Sequence, residues 1–401
     1  MYLTEYRLTN FRNYARLETR FDRGLIVLYG QNAQGKTNFL ESIAFLSTAR
    51  SVHARRDAQL VHFDAAEEGL PFASLEAVVQ RRDGTHRARM IVNVSDVEQQ
   101  RTQKTIFWDE KRLTILDYIG EIATVLFLPQ DISLIASSPA VRRRYLNMTI
   151  CQIDREYCRD LAKYTEVLQQ RNATLRMVQE RGGDPEVVAL WDDQLVRHGA
   201  YLIVRRQQII AQLDEIAARM HADLTGGRER LHMQYVPRLE LGPRNAHQLS
   251  LGFAPEMWGV QGSLLSLDEV ETLFREELAA VRAQELERGM TLVGPHRDDV
   301  RFLVNGVDMT DFGSRGQQRT AALALKLAEV ALLRNKKGES PILLLDDVMS
   351  ELDHERRRLL SHLLLDDTQI FMTTTDPNQL APDVRANARL IRVEQGRFIE
   401  G

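Results

Sequence analysis

The sequence predicts an α/β fold that is interrupted by a long helical insertion, and three observations lead to this prediction. Near the N-terminus, the glycine-containing segment Gly30–Thr37 lies between an apolar run and a helix-forming run. Near the C-terminus, the apolar run 341–345 ends in Asp346 and Asp347. Between these segments, residues 140–220 are charged, rich in alanine and leucine, and nearly free of proline.

The N-terminal part has the alternating apolar pattern that is typical of strands. Strands are expected at residues 2–10, 16–29 (interrupted at Gly24), 73–79, 89–94 and 124–128. The segment Arg82–Thr85 has the composition of a hairpin turn.

The middle and C-terminal parts alternate between helical and strand patterns. Residues 140–220 predict two long amphipathic helices with one break at Gly182–Pro185, because glycine and proline end helices. Further elements are expected as a helix at 267–288, a strand at 290–294, a hairpin of 300–304 and 307–309 around Asn305–Gly306, a helix at 317–334 and a strand at 369–374.

The segment Gly30–Thr37 matches the phosphate-binding loop pattern G-x-x-x-x-G-K-[ST]. Its flanking strand would deliver the loop, its glycines would let backbone N–H groups surround phosphates, and the following helix N-terminus would add positive partial charge. Lys36 is expected to reach the outer phosphates, and the Thr37 hydroxyl is expected to bind Mg²⁺. The candidate nucleotide-binding residues are Gly30, Gln31, Asn32, Ala33, Gln34, Gly35, Lys36, Thr37 and Asn38.

The two acids at the end of run 341–345 supply what phosphoryl chemistry still needs. Asp346 is expected to hold Mg²⁺, and Asp347 is expected to polarise an attacking water. Most of the chain separates this run from the loop, which indicates that the chain leaves the α/β domain, forms the helical insertion and returns. Gln130, which follows strand 124–128, is a third candidate, expected to contact Mg²⁺ and to report nucleotide state to the insertion.

A second anion site is predicted where Ser314, Arg315, Gly316 and Gln317 precede the helix 317–334. It would contact the outer phosphate of a nucleotide held by another subunit. The alternative is that Ser314 is simply a helix N-cap. The segment Gly294–Asp299, with one histidine and two acids at a turn, is expected to be a salt-bridged loop and not a metal or catalytic site.

Composition limits the classes of function. The chain has 401 residues and a formal net charge of −4, so a general basic coat for nucleic acid is excluded and DNA contacts must come from local patches. No run approaches the roughly 18–20 apolar residues of a membrane helix. Cys151 and Cys158 are expected to lie buried on one helix without bridging each other, which favours a cytoplasmic protein.

Several arginine clusters are candidate DNA contacts, although each alone is more typical of a solvated face. The candidates of first interest are Arg55, Arg56, Arg142, Arg143 and Arg144. Further clusters are Arg81–Arg82 with Arg87 and Arg89, Arg205–Arg206, and Arg356–Arg358.

Together these motifs resemble the ABC-type ATPase heads of ABC proteins and SMC-like DNA repair proteins. The segment Ser314–Gln317 corresponds to the signature motif of these heads, and Ser350–Asp353 to their D-loop. The runs Gly294–Asp299 and Ser314–Arg319 are more specific, and they resemble the RecF family of bacterial recombination mediators. The resemblance implies an ABC-type P-loop ATPase head in two parts, residues 1–138 and 291–401, with an inserted α-helical arm (lid) domain at 139–290.

The resemblance also implies a function, namely an ATP-dependent DNA-binding clamp with ATP and Mg²⁺ as cofactors. Two copies would dimerise on ATP, bind DNA at gaps and single-strand–double-strand junctions, and assist RecA loading with RecR and RecO. The expected ATPase is weak and DNA-stimulated. The sequence departs from the general ABC pattern at three positions. Asp347 stands where most ABC heads carry glutamate, Thr375 stands where transporters carry a switch histidine, and Arg315 replaces the first glycine of the signature motif. RecF proteins are similar at these three positions.

Two other classes of function are compatible with a phosphate-binding loop. A transporter-coupled ATPase would need a surface that docks on a permease, and membrane components would stimulate it. A small-molecule kinase would need motifs closer together in the chain and a pocket for its acceptor.

Overall fold

The computed structural model describes residues 1–67, 69, 71–96, 101–239, 264–348 and 368–399. The chain divides into two compact units: residues 1–131 with 329–401, and residues 132–328. The boundaries predicted from the sequence, at 138/139 and 290/291, differ from these, because residues 132–138 and 291–328 group with the helical unit. The predicted α/β character with a helical insertion is confirmed.

The first unit contains an antiparallel sheet with strand order β2-β1-β4-β5-β6-β7 among its described residues. The strands are β1 (Tyr2–Phe11), β2 (Tyr14–Arg20), β4 (Phe72–Arg81), β5 (Gly84–Asp96), β6 (Arg101–Trp108) and β7 (Lys111–Leu113). In the middle of β5 the alternate residues Ala88, Met90 and Val92 are buried and those between them are not, as expected for a sheet with one solvated face. Gly84 has a φ of 142°, so the predicted turn between β4 and β5 uses glycine where the backbone requires it.

The second sheet of this unit has the strand order β15-β14-β3-β13-β12-β8. Its strands are β3 (Leu25–Tyr29), β8 (Thr124–Phe127), β12 (Ile342–Leu345), β13 (Ile370–Thr374), β14 (Ala388–Glu394) and β15 (Arg397–Ile399). All pairings are parallel except that of β15 with β14. Since the buried strands run parallel, their carboxyl ends meet at one edge of the sheet.

Helix α1 (Lys36–Thr48) is buried along most of its length and packs against both sheets. The Phe39 ring lies 5.5 Å from the Tyr6 ring of β1, 5.9 Å from Phe371 of β13 and 5.0 Å from Phe398 of β15. Aromatic edge contacts of this kind add to the free energy of apolar burial. They hold the start of α1 at the carboxyl edge of the parallel sheet.

The remaining helices in the described part of the first unit are short. They are α2 (Phe63–Glu67), α3 (Ile115–Tyr118) and α11 (Pro382–Ala386), with 3₁₀ turns at Asp57–Leu60, Pro129–Asp131 and Pro377–Gln379.

The second unit consists mainly of helices. Its elements in residues 132–239 and 264–328 are α4 (Ile132–Ala136), α5 (Pro139–Ile153), α6 (Arg155–Arg181), a 3₁₀ turn at Pro185–Trp191, α7 (Asp192–Thr225), β9 (Leu231–Val236), α8 (Leu267–Arg288), β10 (Asp299–Val304), β11 (Val307–Asp308), α9 (Met309–Phe312) and the start of α10 (Arg315–Lys337). The hairpin β10–β11 turns at Asn305 and Gly306, both with positive φ, as predicted. Gly289 ends α8 in the left-handed conformation.

Three sequence predictions in this unit are wrong. The first predicted long helix is divided at Asp154, whose carboxylate accepts a hydrogen bond from the Tyr157 N–H at 2.9 Å and caps α6. Cys151 and Cys158 therefore lie on two helices, α5 and α6; both are buried, and neither forms a disulfide.

Residues 290–294 do not form the predicted strand. Two of their N–H groups donate hydrogen bonds to side chains of helices α6 and α8 and not to the backbone of a neighbouring strand. Thr291 N donates to Asn172 Oδ1 at 2.7 Å, and Leu292 N donates to Glu285 Oε1 at 2.8 Å. Because side chains satisfy these donors, the segment remains irregular in spite of its apolar composition.

The segment Gly294–Asp299 contacts α6, α7 and β9 of this unit, and it is the predicted salt-bridged loop. Asp298 is 1% exposed; it accepts a hydrogen bond from Arg206 Nη1 at 3.2 Å and another from the Tyr235 hydroxyl. His296 Nδ1 lies 2.6 Å from the Tyr164 hydroxyl, and burial lowers the pKa of the imidazole to about 4. A neutral histidine and a paired aspartate in a buried network indicate a structural role.

None of the helices in the described ranges has a stretch long and apolar enough to cross a membrane.

Candidate functional site

The candidate site lies at the carboxyl edge of the parallel sheet, where the ends of several strands come together. Strand β3 leads into loop 30–35 and α1, β12 into Asp346–Asp347, and β8 into the turn that contains Gln130. In open α/β sheets, ligands bind at this edge. The described part of the first unit thus places the ends of these strands, and with them the loop, the two acids and Gln130, at one edge of the sheet.

The backbone of the loop depends on its glycines. Gly30 has a φ of 145°, and a Cβ there would lie 2.6 Å from the backbone oxygen of Val393. Gly35 has a φ of 113°, and a Cβ there would lie 2.5 Å from Asn13 Nδ2. Both positions therefore exclude side chains by conformation and by space.

The first turn of α1 has no side-chain cap and no acidic residue. The first N–H groups of a helix have no partner within the helix, and they carry the positive end of its dipole. A helix start without an anionic cap, reached through a glycine loop, is suited to bind a phosphate.

Lys36 lies across the loop and is 8% exposed. Its Nζ donates to the carbonyl oxygen of Gly30 at 2.7 Å and to that of Gln31 at 2.8 Å. Burial lowers the pKa of this ammonium, and the charges of Asp347 and Asp346 oppose the shift. A cation is therefore held at the loop, close to two carboxylates.

The Thr37 hydroxyl contacts the Asp346 carboxylate, with its Oγ1 at 2.9 Å from Oδ1 and 3.0 Å from Oδ2. Asp346 Oδ1 also accepts a hydrogen bond from Thr373 Oγ1 at 2.7 Å. One hydroxyl and one carboxylate side by side are oxygen ligands of the kind that Mg²⁺ uses when it binds with nucleotide phosphates. The residues present thus fit the predicted Mg²⁺. A different kind of metal site, made of three or more His, Cys, Asp or Glu side chains, does not occur in the described ranges.

Asp347 follows directly and has a left-handed backbone, with a φ of 48°. Its N–H donates to Thr373 Oγ1 at 2.9 Å. This residue is only partly buried, whereas Asp346 is 7% exposed. The second acid is therefore the more accessible of the two at the edge.

Gln130 lies in the exposed turn after β8. Strand β8 pairs in parallel with β12, and the residue opposite Leu345 is Phe127. Gln130 is therefore at the same edge as Asp346, one strand away.

The signature residues lie at the start of α10. Ser314 Oγ accepts a hydrogen bond from Gln317 N, and Gln317 Oε1 accepts one from Ser314 N, each at 3.2 Å. This is the reciprocal arrangement of a capping box, so the N-cap alternative describes the local geometry. Ser314, Arg315 and Gly316 are exposed, while Gln317 Nε2 donates to Glu229 Oε1 at 2.9 Å.

The five arginines proposed for DNA lie in different settings. Arg142 is 5% exposed, and its Nε and Nη2 donate to the two oxygens of Asp299 at 2.7 and 2.8 Å. Its Nη1 donates to the backbone oxygens of Ile135 and Ser137. The assignment of Arg142 to DNA is therefore wrong, because its donors are used inside the protein.

The other four differ in exposure. Arg143 is partly buried and its Nη1 donates to the backbone oxygen of Asp298 at 2.7 Å, and burial lowers the pKa of its guanidinium. Arg55, Arg56 and Arg144 are exposed. Of the remaining arginine clusters, 356–358 lies outside the described residues, as does the D-loop 350–353.

Sequence analysis missed several residues that hold the site. Thr373, at the end of β13, contacts both Asp346 and Asp347. Its position at the carboxyl end of a strand next to β12 is the signal that could have marked it as a site residue. Asn13 and the turn at Gln395–Gly396 contact the loop from distant parts of the chain, and no local pattern marks them.

Comparison with known proteins gives a consistent result. A family model described as the RecF/RecN/SMC N terminal domain matches residues 2–398. The chain is 40% identical over 412 residues to the DNA replication and repair protein RecF of Chloroflexus aurantiacus, with 100% of each chain covered. It is 36% identical over 408 residues to the RecF of Bacillus subtilis, again with 100% of each covered.

Comparison with solved structures also points to the RecF proteins. The recombination mediator protein RecF, described as RecF-ATP in the RecFOR pathway, superposes with a TM-score of 0.84 and 30% identity, covering 100% of this chain and 97% of that chain. An Smc head bound to the C-winged helix domain of ScpA gives a TM-score of 0.51 at 15% identity, covering 100% of this chain and 98% of that one, and shows likeness of fold alone. The predicted ABC-type head with a helical insertion is confirmed.

The loop geometry predicts different costs for two glycine substitutions. Gly30→Ala places a methyl group 2.6 Å from a backbone oxygen, whereas Gly24→Ala, also at positive φ (106°), meets no atom within 4 Å. We expect Gly24→Ala to lower the free energy of unfolding by roughly 1–2 kcal/mol through backbone strain, and Gly30→Ala by roughly 1–3 kcal/mol more through overpacking. Thermal unfolding of both variants measures the difference; equal losses would contradict the close approach of Val393 to the loop.

Proposed function

This chain belongs to the RecF/RecN/SMC family and, within it, to the RecF proteins, and from that premise we propose that it is an ATP-dependent DNA-binding clamp of recombinational repair. The observation that carries the proposal is the contact between the Thr37 hydroxyl and the Asp346 carboxylate beside a glycine loop. The description of a relative as RecF-ATP supports ATP as the nucleotide.

Nucleotide binding follows from the loop. The N–H groups of loop 30–35 and of the first turn of α1 bind the phosphates, together with Lys36 and Asn38. Lys36 exchanges its bonds to the Gly30 and Gln31 oxygens for bonds to phosphate oxygens, a stronger pairing because both partners are charged.

The metal-binding residues in this proposal are Thr37 and Asp346, with Gln130 as a further ligand. Mg²⁺, when bound with ATP, neutralises part of the phosphate charge. Thr373 keeps the Asp346 carboxylate oriented through its hydroxyl.

Hydrolysis is assigned to Asp347, which accepts hydrogen bonds from water and orients it toward the terminal phosphate. The Thr373 hydroxyl accepts a hydrogen bond from the Asp347 N–H and so holds the backbone of Asp347 in place. Because aspartate is one methylene shorter than glutamate, its carboxylate lies farther from the water, and we expect a slow, DNA-stimulated ATPase that acts as a switch. Slow hydrolysis lets the ATP-bound state of the protein persist.

Dimerisation completes the site in this proposal. The exposed Ser314, Arg315 and Gly316, with Gln317, contact the terminal phosphate held by a second copy. ATP thereby links the two copies, and DNA binds the dimer better than the monomer because only the dimer presents the DNA contacts of two copies together. Gapped and junction DNA is the proposed substrate, and RecR, RecO and RecA are the proposed partners in RecA loading.

Two substitutions separate nucleotide binding from dimerisation. Lys36→Ala should abolish ATP binding, because it removes the cation that pairs with the outer phosphates. Ser314→Arg should retain ATP binding and prevent dimerisation, because a bulky cation replaces the small residue at the proposed junction. Calorimetry measures ATP binding, and light scattering with and without ATP measures dimerisation.

The wild-type chain is the control in both measurements, repeated with gapped DNA. Dimers of Ser314→Arg at saturating ATP would contradict the role of the signature segment. ATPase stimulation by membrane fractions instead of DNA would favour a transporter-coupled ATPase, and phosphate transfer to a metabolite would favour a kinase.

DNA contact is assigned to Arg55, Arg56 and Arg144. Replacing Arg55 and Arg56 together by alanine should weaken binding to all sequences and reduce the salt dependence of log K by about 2, because each phosphate contact contributes roughly 0.9. The matched control is Arg101→Ala with Arg112→Ala, which removes the same charge from exposed positions on β6 and β7. Equal effects of the two pairs in DNA titrations at several salt concentrations would contradict the assignment.

A further inference from the structure

We propose that Asn13 is a positioning residue for the phosphate-binding loop, and that it acts by orienting the peptide between Gln34 and Gly35. Asn13 lies in the turn between β1 and β2, outside every nucleotide-binding motif. The inference rests on the proposed function, since it assigns Asn13 to the binding of ATP phosphates.

The side-chain amide of Asn13 bridges the loop and α1. Its Nδ2 donates to the Gln34 backbone oxygen at 3.1 Å, and its Oδ1 accepts from Asn38 Nδ2 at 2.8 Å. The opposite orientation of the amide would place two oxygens against each other at Gln34 and two NH₂ groups at Asn38. One orientation of Asn13 therefore satisfies both contacts.

The C-terminal hairpin contacts the same peptide from another direction. Gly396 N donates to the Gln34 backbone oxygen at 2.9 Å. Gln395 N donates to the side-chain oxygen Oε1 of Gln34 at 2.8 Å. The Gln34 carbonyl thus accepts two hydrogen bonds from residues outside the loop.

Holding this carbonyl also orients the next N–H group. In a planar trans peptide, C=O and N–H point in opposite directions. A Gln34 carbonyl directed toward Asn13 and Gly396 therefore directs the Gly35 N–H away from them. The Tyr14 hydroxyl donates to the Gly35 oxygen at 3.0 Å, which constrains the following peptide and the Lys36 N–H in the same way.

The lack of a side chain at Gly35 is part of this arrangement. A Cβ at Gly35 would lie 2.5 Å from Asn13 Nδ2 and 2.9 Å from Asn13 Oδ1. Asn13 therefore occupies the space next to the loop that a side chain at Gly35 would need. Because these contacts already hold the loop in the conformation that binds phosphate, a larger fraction of the protein is ready to bind, and its apparent affinity for ATP is higher.

The test compares Asn13→Ala and Asn13→Asp in the full-length chain, with Mg·ATP as the probe. We expect Asn13→Ala to raise the Kd of ATP about five- to tenfold, because the loop populates the binding conformation less often. Asn13→Asp should raise it further, since a carboxylate oxygen would face the Gln34 oxygen and add negative charge near the phosphates. The kcat at saturating ATP should change less than about twofold, because the loop binds ground state and transition state alike.

A matched control separates positioning from stability. Ile106 is buried in β6, three strands away from β1 and the turn that carries Asn13, so Ile106→Val should lower the melting temperature and leave the Kd unchanged. An unchanged Kd in Asn13→Ala, or an equal rise in Ile106→Val, would overturn the assignment of Asn13. If wild-type protein itself does not bind ATP, the proposed function fails as well, whereas wild-type binding with an unaffected Asn13→Ala overturns this inference alone.

Discussion

The contact between the Thr37 hydroxyl and the Asp346 carboxylate is the constraint on which the candidate site depends. It joins two residues that are 309 positions apart in the chain. Parallel pairing makes the contact possible, because β3 and β12 both pair with β13 and all three end at one edge. Thr373 at the end of the intervening strand completes the set, and its hydroxyl contacts both acids. The site is therefore a consequence of strand order, and the helical insertion can separate its halves in sequence without separating them in the fold.

The helical unit is held by buried charge networks. Arg206 pairs with Asp298 and also donates to the oxygens of Pro295, Tyr157 and Asn147. Arg171, which is fully buried, pairs with Glu285 at 2.7 Å and with Asp192 at 2.9 Å. Loss of one partner from such a pair leaves a buried charge without compensation, which costs about 3–5 kcal/mol. Charged residues in this part of the chain thus serve the fold, and charge alone does not mark a surface for DNA.

Much of the site could be predicted from the sequence, because its motifs are local. The loop 30–37 and the acids 346–347 each follow an apolar strand, and the rule that parallel strands share a carboxyl edge brings them together. Arg142 shows where local patterns fail: its partner Asp299 is 157 positions away, and nothing in the arginine run indicates the pair. Asn13 was missed for the same reason. The segment 290–294 has strand composition, but the Asn172 and Glu285 side chains bond to its N–H groups, and only the tertiary structure reveals this.

The most direct test of this account is the Mg²⁺ dependence of ATP binding, measured by calorimetry in wild-type protein and in Asp346→Asn. If Thr37 and Asp346 form the metal side of the nucleotide site, Mg²⁺ strengthens ATP binding in the wild type and has little effect in the variant, while metal-free binding is similar in both. A variant that keeps the full effect of Mg²⁺ would show that the metal binds elsewhere and would contradict the site described for this edge of the sheet.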